Sequence, residues 1–303
     1  MRRTYLVSDL VPYINWMYFF HTWGLAAPFV GIAKVHACDA CRHAWVTSFE
    51  PKDQVKAAEA LRLYNDACRA LGRLSSYARV RCVLQLYPAN SDGDDIVLHD
   101  ADDPSFAFRL PMLRQQHPGD DGYCRCLADY LRPLSDGTAD TIGLFATSVG
   151  NPAKQADQPT NGDDYQQLIM QTLCDRLAEA AAERLHEETR KSIWGYAPDE
   201  HLTIDQLHAE HFQGIRPAIG YPSLPDLSIN WLIDQLLDLK QIGITLTEHA
   251  MMQPHASVCG LMISHPDARY FAVGSITEEQ LSDYARRRNL PPEQLRPFVG
   301  LVV

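Results

Sequence analysis

The sequence predicts an α+β fold, because its helix and strand patterns fall in blocks without a steady βαβ alternation. Short apolar or alternating runs cluster between residues 80 and 147, long helical patterns lie before and after them, and no internal repeat is present. The composition fits a buried core: of 303 residues, 46% are apolar and 21% charged, which is too apolar for a disordered chain.

The elements follow in order. After Met1-Arg2-Arg3, no Asp, Glu, Lys or Arg stands between Asp9 and Lys34. That stretch is long enough to cross a bilayer. However, Asp9, Pro12, Asn15, Gly24, Pro28 and Gly31 interrupt it, so a buried amphipathic helix is expected and a membrane segment is not. Residues 53–75 read as a helix, with Asp53 as cap and Val55, Ala58, Leu61, Leu63, Ala67 and Leu71 near helical spacing. Together with the stretch before it, this gives an opening helical segment of about residues 5–75.

Strands are expected at Val80–Tyr87, ending at Pro88-Ala89-Asn90, then at Asp95–His99, Phe106–Leu110 and Thr141–Thr147, with Asp92-Gly93 as a turn. Asn151–Gly162, polar and with two prolines, reads as a surface loop. The longest helix opens at Asp163 or Asp164 and runs to about Ser192. Leu168, Ile169, Leu173, Leu177, Ala180, Ala181 and Leu185 are assigned to its core face, and Glu183, Arg184, Glu187 and Glu188 to water. A further helix at about Ile229–Gln241, ending at Gly243, precedes strands at Ile244–Leu246, Val258–Ile263 and Tyr270–Ile276. Thr277 and Gln280 form a capping box for a last helix that closes on Arg286-Arg287-Arg288.

Charge and motifs then limit the function. With 27 basic and 38 acidic residues the net charge is −11, which argues against nucleic acid and other polyanions as partners. The eight cysteines are too sparse for a disulfide framework, so reduced thiols and a cytoplasmic location are expected. No dinucleotide, Walker, nucleophile-elbow or H-E-x-x-H motif occurs. His36-x-Cys38-x-x-Cys41-x-His43 puts four metal-ligand types within eight residues. A zinc site and a redox turn are open readings, and an ordinary loop is preferred. His208 and His211 are read as lying on a solvated helix.

The most informative segment is Gln213-Gly-Ile-Arg-Pro-Ala-Ile-Gly-Tyr-Pro222. Two prolines fix φ, Gly220 permits close approach, and Arg216 adds a planar donor suited to a carboxylate. It reads as a ligand-binding backbone ribbon or a structural loop.

This segment, with Tyr13-Ile14-Asn15-Trp16, Leu86-Tyr87-Pro88-Ala89-Asn90, Asp129, Asp163-Asp164-Tyr165, Trp194-Gly195-Tyr196-Ala197-Pro198, Ala256-Ser257-Val258, Ser264-His265-Pro266-Asp267 and Asp283-Tyr284-Ala285-Arg286-Arg287, resembles the C-terminal activation module of cobalamin-dependent methionine synthase from about residue 10 to 300. The resemblance implies a single C-shaped domain over residues 1–303 with a twisted, mainly antiparallel sheet flanked by helices. It implies binding of S-adenosylmethionine, whose methyl group goes to the cobalamin of a corrinoid protein while a flavodoxin-like donor supplies an electron, by proximity and in-line orientation rather than general acid–base work.

The implied S-adenosylmethionine contacts are Asn15, Glu179, Arg216, Ala218, Gly220, Tyr221, Tyr270 and Phe271, with Tyr221 nearest the corrinoid; no metal ligand or acid–base catalyst is implied. Two of these depart from the family pattern. Phe271 replaces a tyrosine, and Asn15 replaces an aspartate that meets the ligand's ammonium. A cobalt-binding Asp-x-His-x-x-Gly is absent, since Asp199-Glu200-His201 lacks the required glycine. With a family-like start near Tyr5, the expectation is a stand-alone activation subunit that docks on a corrinoid protein and cannot make methionine alone. The alternative is a non-catalytic S-adenosylmethionine sensor or a capping module for a corrinoid protein.

Overall fold

The run Ile142-Gly-Leu-Phe-Ala146 is apolar at consecutive positions, and successive strand residues point to opposite faces, so such a strand must be covered on both sides. The computed structural model, which describes residues 1–100, 103, 105–119, 121–150 and 164–300, meets that demand. The strands of the main sheet are β1 (Arg2–Leu6), β2 (Arg79–Asp92), β3 (Asp95–His99), β4 (Ala107–Pro111), β5 (Asp140–Ser148) and β6 (Ser257–Met262), while the short strands Thr245–Leu246 and Met252–Gln253 pair in a separate ribbon. They form one antiparallel sheet in the order β4-β3-β2-β5-β6, with β1 beside the first half of β2.

One face is covered by α1 (Trp16–Thr22), α2 (Asp39–Thr47), α3 (Gln54–Tyr77) and α4 (Asp164–Glu188). Phe145, Val80, Cys82 and Leu84 pack there against Leu63, Leu74, Leu173 and Leu177. Alanines 57, 60, 67 and 70 of α3 and 180 to 182 of α4 are buried in this layer, and their small side chains let helix and sheet approach closely. The other face carries Ile142, Leu144, Ala146, Cys259 and Leu261, beneath Ile229, Ile233 and Leu237 of α5 (Ile229–Leu237). The closing helix α6 (Glu278–Arg288) forms a smaller core with Leu113, Ile276, Leu281 and Tyr284. The mixed α and antiparallel β architecture is the one the sequence predicts.

Several boundaries differ for physical reasons. Arg2–Leu6 is a strand that begins ahead of the helical segment. Its register, Arg2 opposite Val83 to Leu6 opposite Arg79, leaves only Tyr5 buried, so no apolar alternation announces it. β2 runs through Pro88 to Asp92, because on one edge residues 84–88 fall between the β1 and β3 ladders. A missing N–H is tolerated in such a gap. Asp53 precedes α3 in helical backbone geometry and makes no side-chain cap. Leu168 is exposed. Tyr270–Ile276 is not a strand: the Val273 amide bonds to Pro222 O and the segment lies outside the sheet. Thr277 caps α6 as expected, but the Gln280 side chain donates to Arg114 O, so the box is half formed. The expected loop at Asn151–Gly162 lies outside the described residues. Among those described, no helix is long and apolar enough to cross a membrane.

Candidate functional site

β6 is the last strand of its sheet, and its open edge is taken by the proline-bearing segment. Ile215 exchanges both backbone bonds with Ile263 (2.9 and 3.0 Å), Leu261 N–H donates to Pro217 O (3.0 Å) and Ile219 N–H to Cys259 O (2.9 Å). Residues 214–222 therefore form an irregular added strand whose prolines discourage further pairing. Alternation sends Ile215 and Ile219 into the core beneath, and Arg216 and Ala218 to the opposite face. Close approach is built in at Gly260: a Cβ there would lie 2.3 Å from Pro217 O. At the far end Gly220, with φ +88°, turns the chain so that its N–H reaches Leu224 O (2.8 Å), and Tyr221 stands half-exposed.

Opposite the ribbon, Arg176, Glu179, Ala180 and Glu183 share one stripe of α4. α1 supplies the third wall, and the space enclosed is a cleft of about 700 Å³. Seven of the eight residues singled out from sequence line it together: Asn15, Glu179, Arg216, Ala218, Tyr221, Tyr270 and Phe271. Gly220 is not in the lining and acts through the turn.

Each polar group has a defined hold. Asn15 is the N-cap of α1, its Oδ1 accepting from Met17 N–H at 3.1 Å. The Tyr221 hydroxyl donates to Glu179 (2.9 Å); burial, then the nearby carboxylate, push its pKa up to about 12. The Tyr270 hydroxyl accepts the Arg216 backbone N–H (2.9 Å). The Arg216 guanidinium reaches Glu183 (3.1 Å) and His186 Nδ1 (3.1 Å). Since Arg216 can only donate, Nδ1 carries the lone pair, and His186 Nε2 holds the proton toward the Tyr196 hydroxyl 3.3 Å away. Arg176 stacks over Tyr18 at 5.8 Å, and its buried Nε has no hydrogen-bond partner among the described residues.

Glu183 corrects the sequence reading, which gave it to water. Its position four residues after Glu179 places it on the same helical face, and that spacing was the available signal. Arg176 was likewise missed at three residues before Glu179. His208 is half-buried, with Nε2 3.1 Å from Tyr13 O, rather than solvated, while His211 is exposed. Asp129 is bound by Arg114 and caps the Cys126 N–H, and with His265 it borders a second cleft of about 470 Å³.

His186 yields a pH prediction. Burial, then the adjacent Arg216 and Arg190 cations, hold its pKa well below 6.5. The unfolded chain therefore binds a proton that the folded chain does not, and stability falls as pH drops below about 6.5, by up to about 1.4 kcal/mol per pH unit. Urea unfolding at successive pH values should show this slope, and His186→Gln should remove that share of it. Equal slopes in the two proteins would refute the assignment.

A profile of the family described as vitamin B12 dependent methionine synthase, activation domain, matches residues 6–289. The chain is also similar to a crystal structure of the MetH reactivation domain bound to AdoHcy, at 36% identity and a TM-score of 0.84, covering 99% of this chain and 90% of the other.

Proposed function

The chain belongs to the family of vitamin B12-dependent methionine synthase activation domains, and from that premise we propose that its cleft binds S-adenosylmethionine for the reductive methylation of cobalamin on a partner corrinoid protein. The observation that carries the reading is the convergence of Glu179, Arg216, Tyr221 and Tyr270 on one cleft beside the backbone ribbon. About 700 Å³ lies within the usual range for small-molecule sites, roughly 300–1,000 Å³. A related domain is known with AdoHcy bound.

The residues fit a zwitterion carrying a sulfonium. Arg216 has five N–H groups in a planar fork, more than Glu183 and His186 use, so one edge can meet a carboxylate. Arg176 also lines the cleft and brings a second guanidinium to it. Glu179 and Glu183 give the walls the negative charge that a sulfonium requires, while Ala218 lines the ribbon side of the cleft. Tyr270 and Phe271 close the side. Tyr221, half-exposed at the rim, is the residue assigned to the corrinoid side in this proposal. Bound S-adenosylmethionine supplies the electrophilic methyl group, and the chain's own task is orientation and exclusion of water.

Acting in trans as a separate subunit, the use of a flavodoxin-like electron donor and a cytoplasmic setting all belong to the proposal. The eight unpaired cysteines support a reducing compartment.

A second reading, a sensor or cap that binds ligand without supporting methylation, is favoured by Asn15. Its Oδ1 is already engaged in the α1 cap, which leaves one lone pair for a ligand ammonium, while the amide N–H₂ is a donor and cannot meet that cation. Asn15→Asp keeps the cap with one oxygen and presents the other as an anion, and negative charge at a helix N-terminus is stabilising. Titration calorimetry should show saturable S-adenosylmethionine binding, tightened about tenfold in Asn15→Asp, or about 1.4 kcal/mol, with no loss of thermal stability. With corrinoid protein and reductant added, conversion of cob(II)alamin to methylcobalamin supports the activation role; an unchanged cob(II)alamin spectrum with ligand bound supports the sensor.

A further inference from the structure

The first turn of α2 and the three residues before it assemble a donor set that the cleft does not use. Cys38 is the N-cap of α2, and its Sγ accepts the Cys41 N–H at 3.3 Å. His36, two residues earlier, folds back so that its Nδ1 accepts the Cys38 N–H at 3.3 Å. One ligand atom from each of His36, Cys38 and Cys41 lies within 4.8 Å of the others, and His43 is not part of the group. None of the three lines the cleft.

We infer that His36, Cys38 and Cys41 hold one zinc-type divalent cation, with solvent in the fourth position. Two thiolates and an imidazole are a soft-to-borderline set, which selects zinc over magnesium or calcium. Around a tetrahedral zinc, with bonds of roughly 2.3 Å to sulfur and 2.0–2.1 Å to nitrogen, such donors stand roughly 3.5–3.8 Å apart. The three donor atoms already lie within 4.8 Å of one another, and both cysteines are exposed, which leaves their side chains room to turn toward a common ion. The lone pairs that would take the metal now accept long backbone bonds, which an ion readily displaces. The turn stands on a fixed base. Farther along α2, Trp45 packs edge-on against Phe49 at 5.0 Å, and Phe49 stacks on Phe29 at 5.3 Å. A dithiol couple would need only the two cysteines; the histidine donor in the same sphere is what argues for a metal.

The test uses the full chain without a histidine tag, reduced and stripped with chelator, then titrated with Co²⁺ and back-titrated with Zn²⁺. The expected result is a thiolate-to-cobalt charge-transfer band that saturates at one equivalent and is bleached by zinc. Cys38→Ser and Cys41→Ser should each lose it. His36→Ala should weaken binding by at least about 100-fold, beyond what outer-shell changes usually cost. The thermal midpoint of the metal-free variants should match that of the metal-free parent, since these side chains face solvent. Absence of the band at stoichiometric cobalt would overturn the inference. So would a band that survives in both cysteine variants, or a Cys38–Cys41 disulfide forming in air in a protein whose reduced form takes up no metal.

Discussion

Gly260→Ala is expected to detach the ribbon from the sheet and weaken S-adenosylmethionine binding by about 100-fold, or about 2.7 kcal/mol. Gly260 faces Ala218 across the β6 edge, and an added Cβ would stand 2.3 Å from Pro217 O, 2.9 Å from Ala218 Cα and 3.1 Å from Phe145 Cε1. Two of these three atoms are backbone, so no rotamer change relieves the clash. Either β6 or the ribbon must move, and the ribbon is the lighter partner, held along this stretch by the bonds at Ile215, Pro217 and Ile219. Overpacking of this kind costs about 1–3 kcal/mol. Much of that cost should appear as lost order in residues 215–219 rather than as global unfolding. Hydrogen exchange distinguishes the two: the Ile215 and Ile219 amides should lose protection while the β2–β5 ladder keeps its own. If binding and exchange both match the parent, the ribbon does not depend on glycine at this position.

The same stretch shows how far the sequence could be read. The prolines, Gly220 and Arg216 marked Gln213–Pro222 as a rigid presenting segment, because that reading depends on residues close together in the chain, and the family resemblance supplied the ligand proposed for it. Asp95–His99 was equally legible, since the turn signal at Asp92-Gly93 is followed by the apolar run Ile96-Val97-Leu98. What failed depended on distant partners. Arg2–Leu6 is a strand only because Arg79–Val83 lies beside it. Tyr270–Ile276 has strand-like composition, yet it joins no strand of the sheet, and the Val273 amide bonds to Pro222 O instead. Glu183 reads as a solvated helix charge until the topology brings Arg216, 33 residues later, to its carboxylate. In the same way the spacing of His36, Cys38 and Cys41 is visible in the sequence, while their convergence needs the fold of the first helical turn. Local rules therefore found the ribbon that lines the cleft, and long-range pairing decided which charges the cleft contains.

Arg216→Met should cost about 3–5 kcal/mol of stability and remove S-adenosylmethionine binding, for separable reasons. The Arg216 and Glu183 side chains are only 13% and 12% exposed, so removing the cation strands Glu183 in a nearly dry site. Breaking a buried pair on one side carries that penalty, whereas replacing both members with uncharged groups of similar volume is often nearly neutral. The double variant Arg216→Met/Glu183→Gln should therefore recover most of the stability and none of the binding, since neither new side chain can bond a ligand carboxylate bidentately. The pH profile gives a third, independent readout. Arg216 is one of two cations that depress His186. Without it the folded-state pKa rises toward the unfolded value, and the acid-side loss of stability below about pH 6.5 becomes smaller. Urea unfolding of the parent and both variants at neutral and mildly acidic pH, alongside calorimetric titration, measures all three effects. If the double variant still binds ligand, the carboxylate contact lies elsewhere, and Arg176, the other arginine lining the cleft, becomes the residue to replace. If the double variant is no more stable than Arg216→Met, the cost belongs to lost packing of the arginine stem rather than to the stranded charge.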